Sequence, residues 1–344
     1  MKKVNWGIIG FGNATNSFIN AVKYIPNVNL YGISSVSNYK NLLSKKKNNN
    51  FRNLNVFNNH LKLLNNKNID AVYIALTNNL HYQWIIKSLN CNKHVLTEKP
   101  SCENSVDYKN CISLAKQKKL ILTEAIMYRH HPQTLKIIEI IKSGIIGKVK
   151  KVFGKCGFDM GKRFLGFEIK KLNYNSRLLN KSLGGGAILD LGCYPLSMAI
   201  LINRISNKYN IMPTIINTSK KIGKSKVDEI SNITLLFPKK MYAYLEVAIR
   251  KKLNDQLLIQ GSRGELKVPN PWLPSKNYIL DLTLLNGKKK ILNFECSEKF
   301  DYLFSYLIRD VSEAILCKKK LKYPSISNNE TYSYLKIIDK WKIL

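Results

Sequence analysis

The sequence predicts an α/β half followed by an α+β half: a doubly wound parallel sheet first, then an open, mostly antiparallel sheet with helices on one face. Three observations predict it. Short apolar runs alternate with amphipathic helical patterns up to residue 125. A glycine turn, Gly10-Phe11-Gly12, separates the first apolar run from the first helical pattern. Beyond about residue 145, strand-like runs follow one another with few helices between them.

Taken in order, residues 4–9 are a short apolar strand, and 16–24 carry helical spacing that Pro26 ends. Residues 28–34 form a second strand. The run DAVYIAL at 70–76 is a third, with further strands at 94–96 and 121–123. Helices at 80–89 and 106–116, the latter opened by Ser105 as its cap, separate them. This alternation implies parallel strands joined by right-handed crossovers. A long strand is expected at 148–158, then a polar, aromatic and basic stretch to Ser182, then a helix over 187–202. Strands follow at 230–237, 241–249, 256–260, 264–268 and 278–285, with turns at Pro238-Lys239-Lys240 and Gly261-Ser262-Arg263-Gly264. Helices at 303–317 and 328–338 close the chain, and Asn48-Asn49-Asn50 reads as a loop. At 344 residues the chain exceeds what one core usually serves, so two domains are expected, 1–125 and 126–344.

Fifty-six Lys and Arg against 22 Asp and Glu give a formal charge of +34, which in general favours polyanionic partners. A biased genome explains the charge better. The lysines are spread along the chain, and asparagine, another residue with AT-rich codons, occupies 22 of the first 92 positions. The runs Lys45-Lys46-Lys47 and Lys318-Lys319-Lys320 fall at expected helix ends, where cations suit the dipole. No basic-region helix, zinc finger or RNP-type motif accompanies them, so no nucleic-acid partner is expected. Seven cysteines without CxxC spacing fit a reducing, cytoplasmic setting rather than a disulfide framework or a metal site. The opening MKKVNWGIIGFG is too short and glycine-rich for a signal peptide. The longest apolar run, 187–202, contains Asp190 and is too short to span a bilayer, so no membrane partner is expected.

Gly10 and Gly12 stand where a strand–turn–helix unit brings its backbone close to a pyrophosphate held by helix N–H groups. Phe11, Asn13 and Ala14 complete that turn, and Thr15 replaces the third glycine of the pattern. No Asp or Glu follows the second strand to accept from a ribose 2′-hydroxyl. Ser35, Ser37 and Lys40 stand there as donors for a 2′-phosphate, which favours NADP over NAD; a plain solvated loop is the other reading. Glu98-Lys99-Pro100 ends a parallel strand, and reads either as a solvated strand end or as a lysine aimed into a cleft. Further on, GGGAILDLGCY at 184–194 puts Asp190 and Tyr194 at i and i+4 on one helical face. They read either as a capped helix start with a buried tyrosine or as working polar groups in an apolar helix. His130 and His131 precede Pro132 and read as a helix-start cap or a surface pair, or with one of them facing the cleft; His60 and His94 read as structural, and Cys193 as packing.

The motifs IDAVYIALTNNLH, KHVLTEKP, LTEAIMYRHHPQ, SGIIGKV and GGGAILDLGCYP occur in one order after the glycine turn. The chain thereby resembles the glucose–fructose oxidoreductase, inositol dehydrogenase and related sugar dehydrogenases, the Gfo/Idh/MocA family. Motifs carry the resemblance over roughly residues 4 to 200, and the element pattern carries it beyond. It implies a Rossmann dinucleotide-binding domain at 1–125, a substrate-binding and oligomerisation domain at 126–344, and an active site between them. It implies that Lys99 points at the reacting hydroxyl and often precedes a cis proline. It places Tyr194 at a catalytic His or Tyr position and Asp190 where an aspartate positions substrate. Asn78 and His81 match the N-x-x-H after the third strand, which together with Thr77 and Glu98 joins the cofactor contacts. Arg129 and Pro132 form the RxxP of members that oxidise aldoses or cyclic diols. Arg163, Tyr174 and Arg177 are candidate substrate contacts or residues of a surface loop. Leu76-Thr77 departs from the usual Thr-Pro, as Thr15 departs in the glycine turn, and both departures touch the cofactor cradle.

The expected activity is NAD(P)-dependent hydride transfer between a nicotinamide and a carbinol or carbonyl of a sugar, polyol or cyclic diol. A phenol ordinarily ionises near ~10, and an ammonium at Lys99 would favour its phenolate as the base. The alternative is a non-catalytic dinucleotide-binding regulator of the same fold. A homodimer or homotetramer built through the open sheet is the assembly the family implies.

Overall fold

The computed structural model describes residues 2–47, 54–161, 163, 164, 167, 168, 172–207, 212–296 and 303–344; the expected loop at Asn48-Asn49-Asn50 lies outside them. Six short strands build the first sheet: β1 (Val4–Ile9), β2 (Val28–Ser34), β3 (Asn55–Phe57), β4 (Ala71–Ile74), β5 (His94–Thr97) and β6 (Leu122–Glu124). Their order is β3-β2-β1-β4-β5-β6, and every pair is parallel. β4 and β6 are wholly buried and β1 and β5 nearly so, as covered parallel strands must be. The crossovers carry α1 (Asn13–Val22), α2 (Tyr39–Lys47), α3 (His60–Leu64), α4 (Asn78–Asn90) and α5 (Ser105–Gln117). The chain order reverses between β1 and β4, and that switch point is where open α/β sheets take ligands.

Internal contacts divide the chain into two compact units. The first joins Met1–Cys102, Val106–His130 and Glu298–Asn328. Its core stacks Phe18 on Tyr73 at 4.5 Å and sets Trp6 edge-on to Phe18 at 5.4 Å. The late helix α9 (Leu303–Leu316) belongs to it: Phe304 meets both Phe18 and Tyr73, and the Trp6 indole donates to Ser312 Oγ at 3.0 Å.

The second unit joins Glu103–Ser105, His131–Ser297 and Asn329–Leu344. Its strands are β7 (Val149–Gly157), β10 (Thr214–Ile222), β11 (Asp228–Phe237), β12 (Met241–Ala248), β13 (Gln256–Gly261), β14 (Gly264–Pro269), β15 (Asn277–Leu284) and β16 (Lys289–Glu295). They form one sheet in the order β10-β11-β12-β7-β13-β14-β15-β16, antiparallel except for the β12–β7 pair. Two-residue strands β8 (Arg163–Phe164) and β9 (Phe167–Glu168) pair beside it. Along β12, Met241, Ala243, Leu245 and Val247 are buried while Tyr242, Tyr244 and Glu246 are half-exposed. One face is therefore covered and the other open. The helices of this half are α6 (Pro132–Lys142), α7 (Ala187–Leu191), α8 (Cys193–Asn207) and α10 (Asn328–Ile343), of which α7 and α8 pack on β7 and β12. Among the described residues no single helix is long and apolar enough to cross a membrane; the bent pair Lys181–Leu191 and Cys193–Asn207 passes that test only jointly.

Three differences from expectation have physical causes. The helix expected over 187–202 is two helices with Gly192 between them, and the axis bends by about 40°. An added Cβ at Gly192 would overlap the Ile188 carbonyl, so only glycine fits the break. The edge strands β10 and β16 went unread because TIINTSKKI and KKILNFE bury no regular face. The short α3 and β3 went unread for lack of a long periodic pattern, while α2 and α6 were marked only at one end, by the Lys45-Lys46-Lys47 run and by the residues before Pro132.

Candidate active site

The glycine turn follows β1 at the carboxyl edge of the parallel sheet. Gly10 has φ +105, and an added Cβ would lie 2.9 Å from the Ala75 carbonyl carbon and closer still to its oxygen. Its N–H donates to the Ser34 carbonyl at 2.9 Å, which fixes the turn over β2. Gly12 is different: it caps α1 in extended backbone, and an added Cβ would meet nothing within 4 Å. The fold therefore requires glycine at position 10, whereas at position 12 glycine leaves open space. Thr15 fits without displacing the helix. It is wholly buried, its Oγ1 accepts from the Gly12 N–H at 3.2 Å, and its own N–H donates to the Gly12 carbonyl at 3.1 Å. This Gly12–Thr15 pairing leaves the amides of Asn13 and Ala14 as first-turn donors with no carbonyl in the helix to bond. An open cradle beside two such amides fits a dinucleotide pyrophosphate.

Beyond β2, Ser35 is buried; its N–H donates to the Phe57 carbonyl and its Oγ accepts from Asn38 N–H at 3.1 Å. Ser37 and Lys40 are exposed. Lys45 lies over the Phe11 ring at 4.9 Å, and Asn38 donates to the Phe11 carbonyl. Lys45, expected only as a helix-end charge, stands in α2, in the crossover from β2 to β3.

The edges of β4 and β5 supply the next groups. Thr77 caps α4, with its hydroxyl donating to Asn79 Oδ1 at 2.7 Å, and Asn78 is buried at the helix start. Glu98 accepts a short hydrogen bond from the Tyr73 hydroxyl and another from the Lys99 N–H at 3.2 Å. Lys99 is half-buried and its bond to Pro100 is cis. His81 is fully buried, with Nδ1 at 2.7 Å from the Pro100 carbonyl and Nε2 at 3.1 Å from the Leu76 carbonyl. It ties the segment after Lys99 to the end of β4. The Ser101 N–H donates to buried Glu124 at 2.7 Å, which holds the same segment from the β6 side.

In the second unit, a second polar group is built at the start of α7. Gly186 has φ +111, and a Cβ there would overlap the Asp228 carboxylate. A Cβ on Gly185 would press on the carbonyls of Arg177, Leu178 and Asn180 at 2.7 to 2.8 Å. The glycines thus let the chain pass beside Asp228, which caps α7 by accepting from Ile188 N–H at 2.7 Å and from Ser231 Oγ at 3.2 Å. Burial pushes the Asp228 carboxyl up to about 6, against the pull of those two donors. Asp190 follows one turn later; it is buried, and Arg177 Nη2 donates to its Oδ1 at 3.0 Å. Tyr194 begins α8 and keeps 7% of its surface. Its ring stacks against Trp272 with centroids 6.5 Å apart, and the Trp272 indole is anchored on the Lys155 carbonyl at 2.7 Å. Next to Tyr194, Pro195 packs 3.0 Å from where a Cβ on Gly154 of β7 would stand, so α8 rests closely on the sheet.

The structure thus joins Arg177 to Asp190 and gathers Gly10, Thr77, Glu98 and Lys99 on one sheet edge. Arg129 is fully buried in the turn after β6. Tyr174 is exposed, and the Arg163 side chain lies outside the described residues. His131 caps α6 by accepting from Gln133 N–H at 3.1 Å, but neither it nor His130 is on the surface. His130 Nδ1 lies 2.7 Å from Asp310 of α9. His60 contacts Ser34 Oγ at 2.7 Å, His94 accepts from Ile121 N–H at 2.9 Å, and Cys193 is buried. Asp228 and Trp272 escaped sequence reasoning. Nothing near Asp228 marks a cap for a helix 40 residues earlier, and Trp272 was signalled only by the prolines that flank it.

Comparison with known proteins gives a concordant result. Residues 4–126 match the oxidoreductase family with an NAD-binding Rossmann fold, and residues 134–267 match the GFO/IDH/MocA C-terminal domain. An uncharacterized oxidoreductase of Rhizobium meliloti is 30% identical over 228 residues, covering 66% of this chain and 64% of that protein's length. The trans-1,2-dihydrobenzene-1,2-diol dehydrogenase of Xenopus tropicalis is 26% identical, covering 83% of this chain and 79% of its own. A 3-ketoreductase from Actinomadura kijaniata, solved with NADP and TDP-benzene, superposes with a TM-score of 0.82 at 20% identity, covering 98% of this chain and 96% of its own, which shows a shared fold.

Proposed function

We propose that this chain, which belongs to the GFO/IDH/MocA oxidoreductase family, is an NAD(P)-dependent enzyme that moves a hydride between nicotinamide and a carbinol or carbonyl of a sugar, polyol or cyclic diol. One observation carries the reading. The open cradle at Gly12, after β1, and residue Lys99, after β5, lie at the same carboxyl edge of the parallel sheet, on either side of its switch point. The first unit, which takes in α9 beyond the 1–125 expected, serves the dinucleotide, and the second serves the substrate and assembly. Gly10 and Phe11 shape the turn, Gly12 leaves room for the pyrophosphate, and the Asn13 and Ala14 amides donate to it. Ser35, Lys40 and Lys45 favour NADP through its 2′-phosphate. Thr77, Asn78, His81 and Glu98 frame the nicotinamide side, His81 by holding Pro100 rather than by touching the ligand.

The bound nicotinamide supplies the hydride acceptor or donor. Tyr194 takes the hydroxyl proton as the carbinol is oxidised and returns it in reduction, and Trp272 fixes the plane of its ring. The Lys99 ammonium donates to the developing alkoxide. Asp190, oriented by Arg177, accepts from a neighbouring hydroxyl of the substrate. Tyr174 and Arg163 are the remaining substrate contacts. Arg129, being buried, supports the turn after β6 and is not one of these contacts. Two copies of the chain pair through the open face of the large sheet, where Phe153 stacks on Tyr244 at 4.9 Å and Tyr242 on Tyr244 at 6.2 Å. The test is nicotinamide absorbance against a panel of aldoses, polyols, cyclic diols and nucleotide sugars with both cofactors. Turnover on at least one class, faster with NADP, supports the reading. NADP binding with no turnover on any of them would replace it with the non-catalytic alternative.

A further inference from the structure

A cavity of about 1020 Å³ opens in the first unit at the amino edge of the parallel sheet, opposite the glycine turn. Its walls are the starts of β1, β4, β5 and β6 and the ends of α4, α5 and α9. Nine of its 21 lining residues are lysines, against 48 of 344 along the whole chain, so compositional bias does not account for it. Among them are Lys116, Lys119 and the run Lys318-Lys319-Lys320.

Lys93 is already used: it is buried, donates to the Asn66 and Ile69 carbonyls at 2.8 and 2.7 Å, and burial lowers its pKa. The other eight are exposed, and among the described residues none makes an ion pair. The opposing charge is small. Asp70 is the one acid on the wall, and it accepts from Asn5 N–H at 2.9 Å. The three helices end here, with Asn92, Lys119 and Lys318 in left-handed backbone after them. Each helix end carries about −0.5 charge, so helix ends and Asp70 together supply about −2.5 against nine ammonium groups. Roughly six positive charges remain around one cavity, a number beyond what helix capping requires.

We propose that this cavity binds a chain of linked phosphates, inorganic polyphosphate or its short oligomers. Ammonium groups bind phosphate as point charges, without the planar fork that carboxylate recognition favours. Apart from Asp70, Cys91, Asn92 and His94, whose ring is held by the Ile121 N–H, the remaining wall is aliphatic, with Ile69, Leu120, Ile121 and Ile315, and it holds no Phe, Tyr or Trp on which a nucleobase could stack. Contiguous phosphates without bases fit that lining, and a cavity of this volume suits a small ligand or a chain segment.

The test is calorimetric titration of the full-length protein with tripolyphosphate and with long-chain polyphosphate, between about 50 and 200 mM salt. Saturable, salt-sensitive binding that excess NADP does not displace is expected. K318E/K319E/K320E should weaken it at least about tenfold, while K288E/K289E/K290E, an equal charge reversal in the turn and start of β16, should leave it within about twofold. Both variants alter exposed lysines, and circular dichroism melts check that both fold. Equal weakening by the two variants, absence of saturable binding, or displacement by NADP would overturn the assignment. So would tighter binding of a single-stranded oligonucleotide than of polyphosphate of equal charge.

Discussion

Gly10 and Gly12 are two residues apart, yet the structure predicts opposite outcomes for the same substitution. Gly10→Ala forces a side chain into φ +105, where an L-residue loses about 1–2 kcal/mol. The new methyl would also lie 2.9 Å from the Ala75 carbonyl carbon and 3.0 Å from Leu76 Cδ2. That carbonyl cannot retreat freely, because Ala75 N–H is bonded to Ile9 at 2.8 Å, so overpacking adds about 1–3 kcal/mol. The sum, about 2–5 kcal/mol, is a large share of a domain's usual ~5–15 kcal/mol. Gly12→Ala meets nothing within 4 Å and sits at φ −147, which any residue adopts. The poorer helix cap and the stiffer unfolded chain offset each other to within about 1 kcal/mol. The methyl instead occupies the space left for the pyrophosphate. Urea unfolding should therefore show Gly10→Ala strongly destabilised and Gly12→Ala near wild type. Cofactor titration by fluorescence should show Gly12→Ala binding NADP at least about tenfold more weakly, about 1.4 kcal/mol. A folded Gly12→Ala protein with wild-type NADP affinity would refute the assignment of that space, and a stable Gly10→Ala protein would refute the geometry of the turn.

Other consequences can be measured in the same preparations. Tyr194→Phe should lower turnover by about 10²–10⁴ with NADP affinity unchanged, read by steady-state rates beside the fluorescence titration. Unchanged turnover would remove Tyr194 from proton transfer. His81→Leu should lower kcat more than NADP affinity, since a donor to the Pro100 carbonyl is lost beside Lys99, and His81→Gln, whose amide offers two donors, should recover part of it. Because the folded pKa of Asp228 is raised to about 6, its contribution to stability is complete below about pH 4 and is lost as pH rises through 6. Ionisation then costs about 3 kcal/mol by pH 7. Asp228→Asn keeps an acceptor for Ile188 N–H without the charge, so its urea midpoint should vary less between about pH 4 and 7 than that of the wild type.

What could be read from the sequence follows from how local each determinant is. β1 and β2 were legible to the residue because short, mostly apolar runs are bounded by the glycine turn after β1 and by Pro26 before β2. The glycine turn and Glu98-Lys99-Pro100 were legible because a turn and a strand end are written in adjacent residues. Asp190 and Tyr194 were seen as one helical face, whereas Gly192 breaks the helix between them. The Arg177–Asp190 pair, the Asp228 cap and the Trp272 stack join residues far apart in the chain, and no period or spacing encodes them. The role of Thr15 could not be judged from its type. Thr15 departs from the third glycine of the pattern, and the hydroxyl that makes it suitable acts through a bond from the Gly12 N–H.

The central claim is that a hydride passes directly between a substrate carbon and the nicotinamide ring. Supplying aldoses and polyols deuterated at the carbinol carbon with NADP, and weighing the reduced cofactor by mass spectrometry, tests it without intermediary. The account predicts one deuterium in the nicotinamide of the product, formed by the wild type and nearly absent with Tyr194→Phe. Reduced cofactor without deuterium, or deuterium appearing only in solvent, would contradict it.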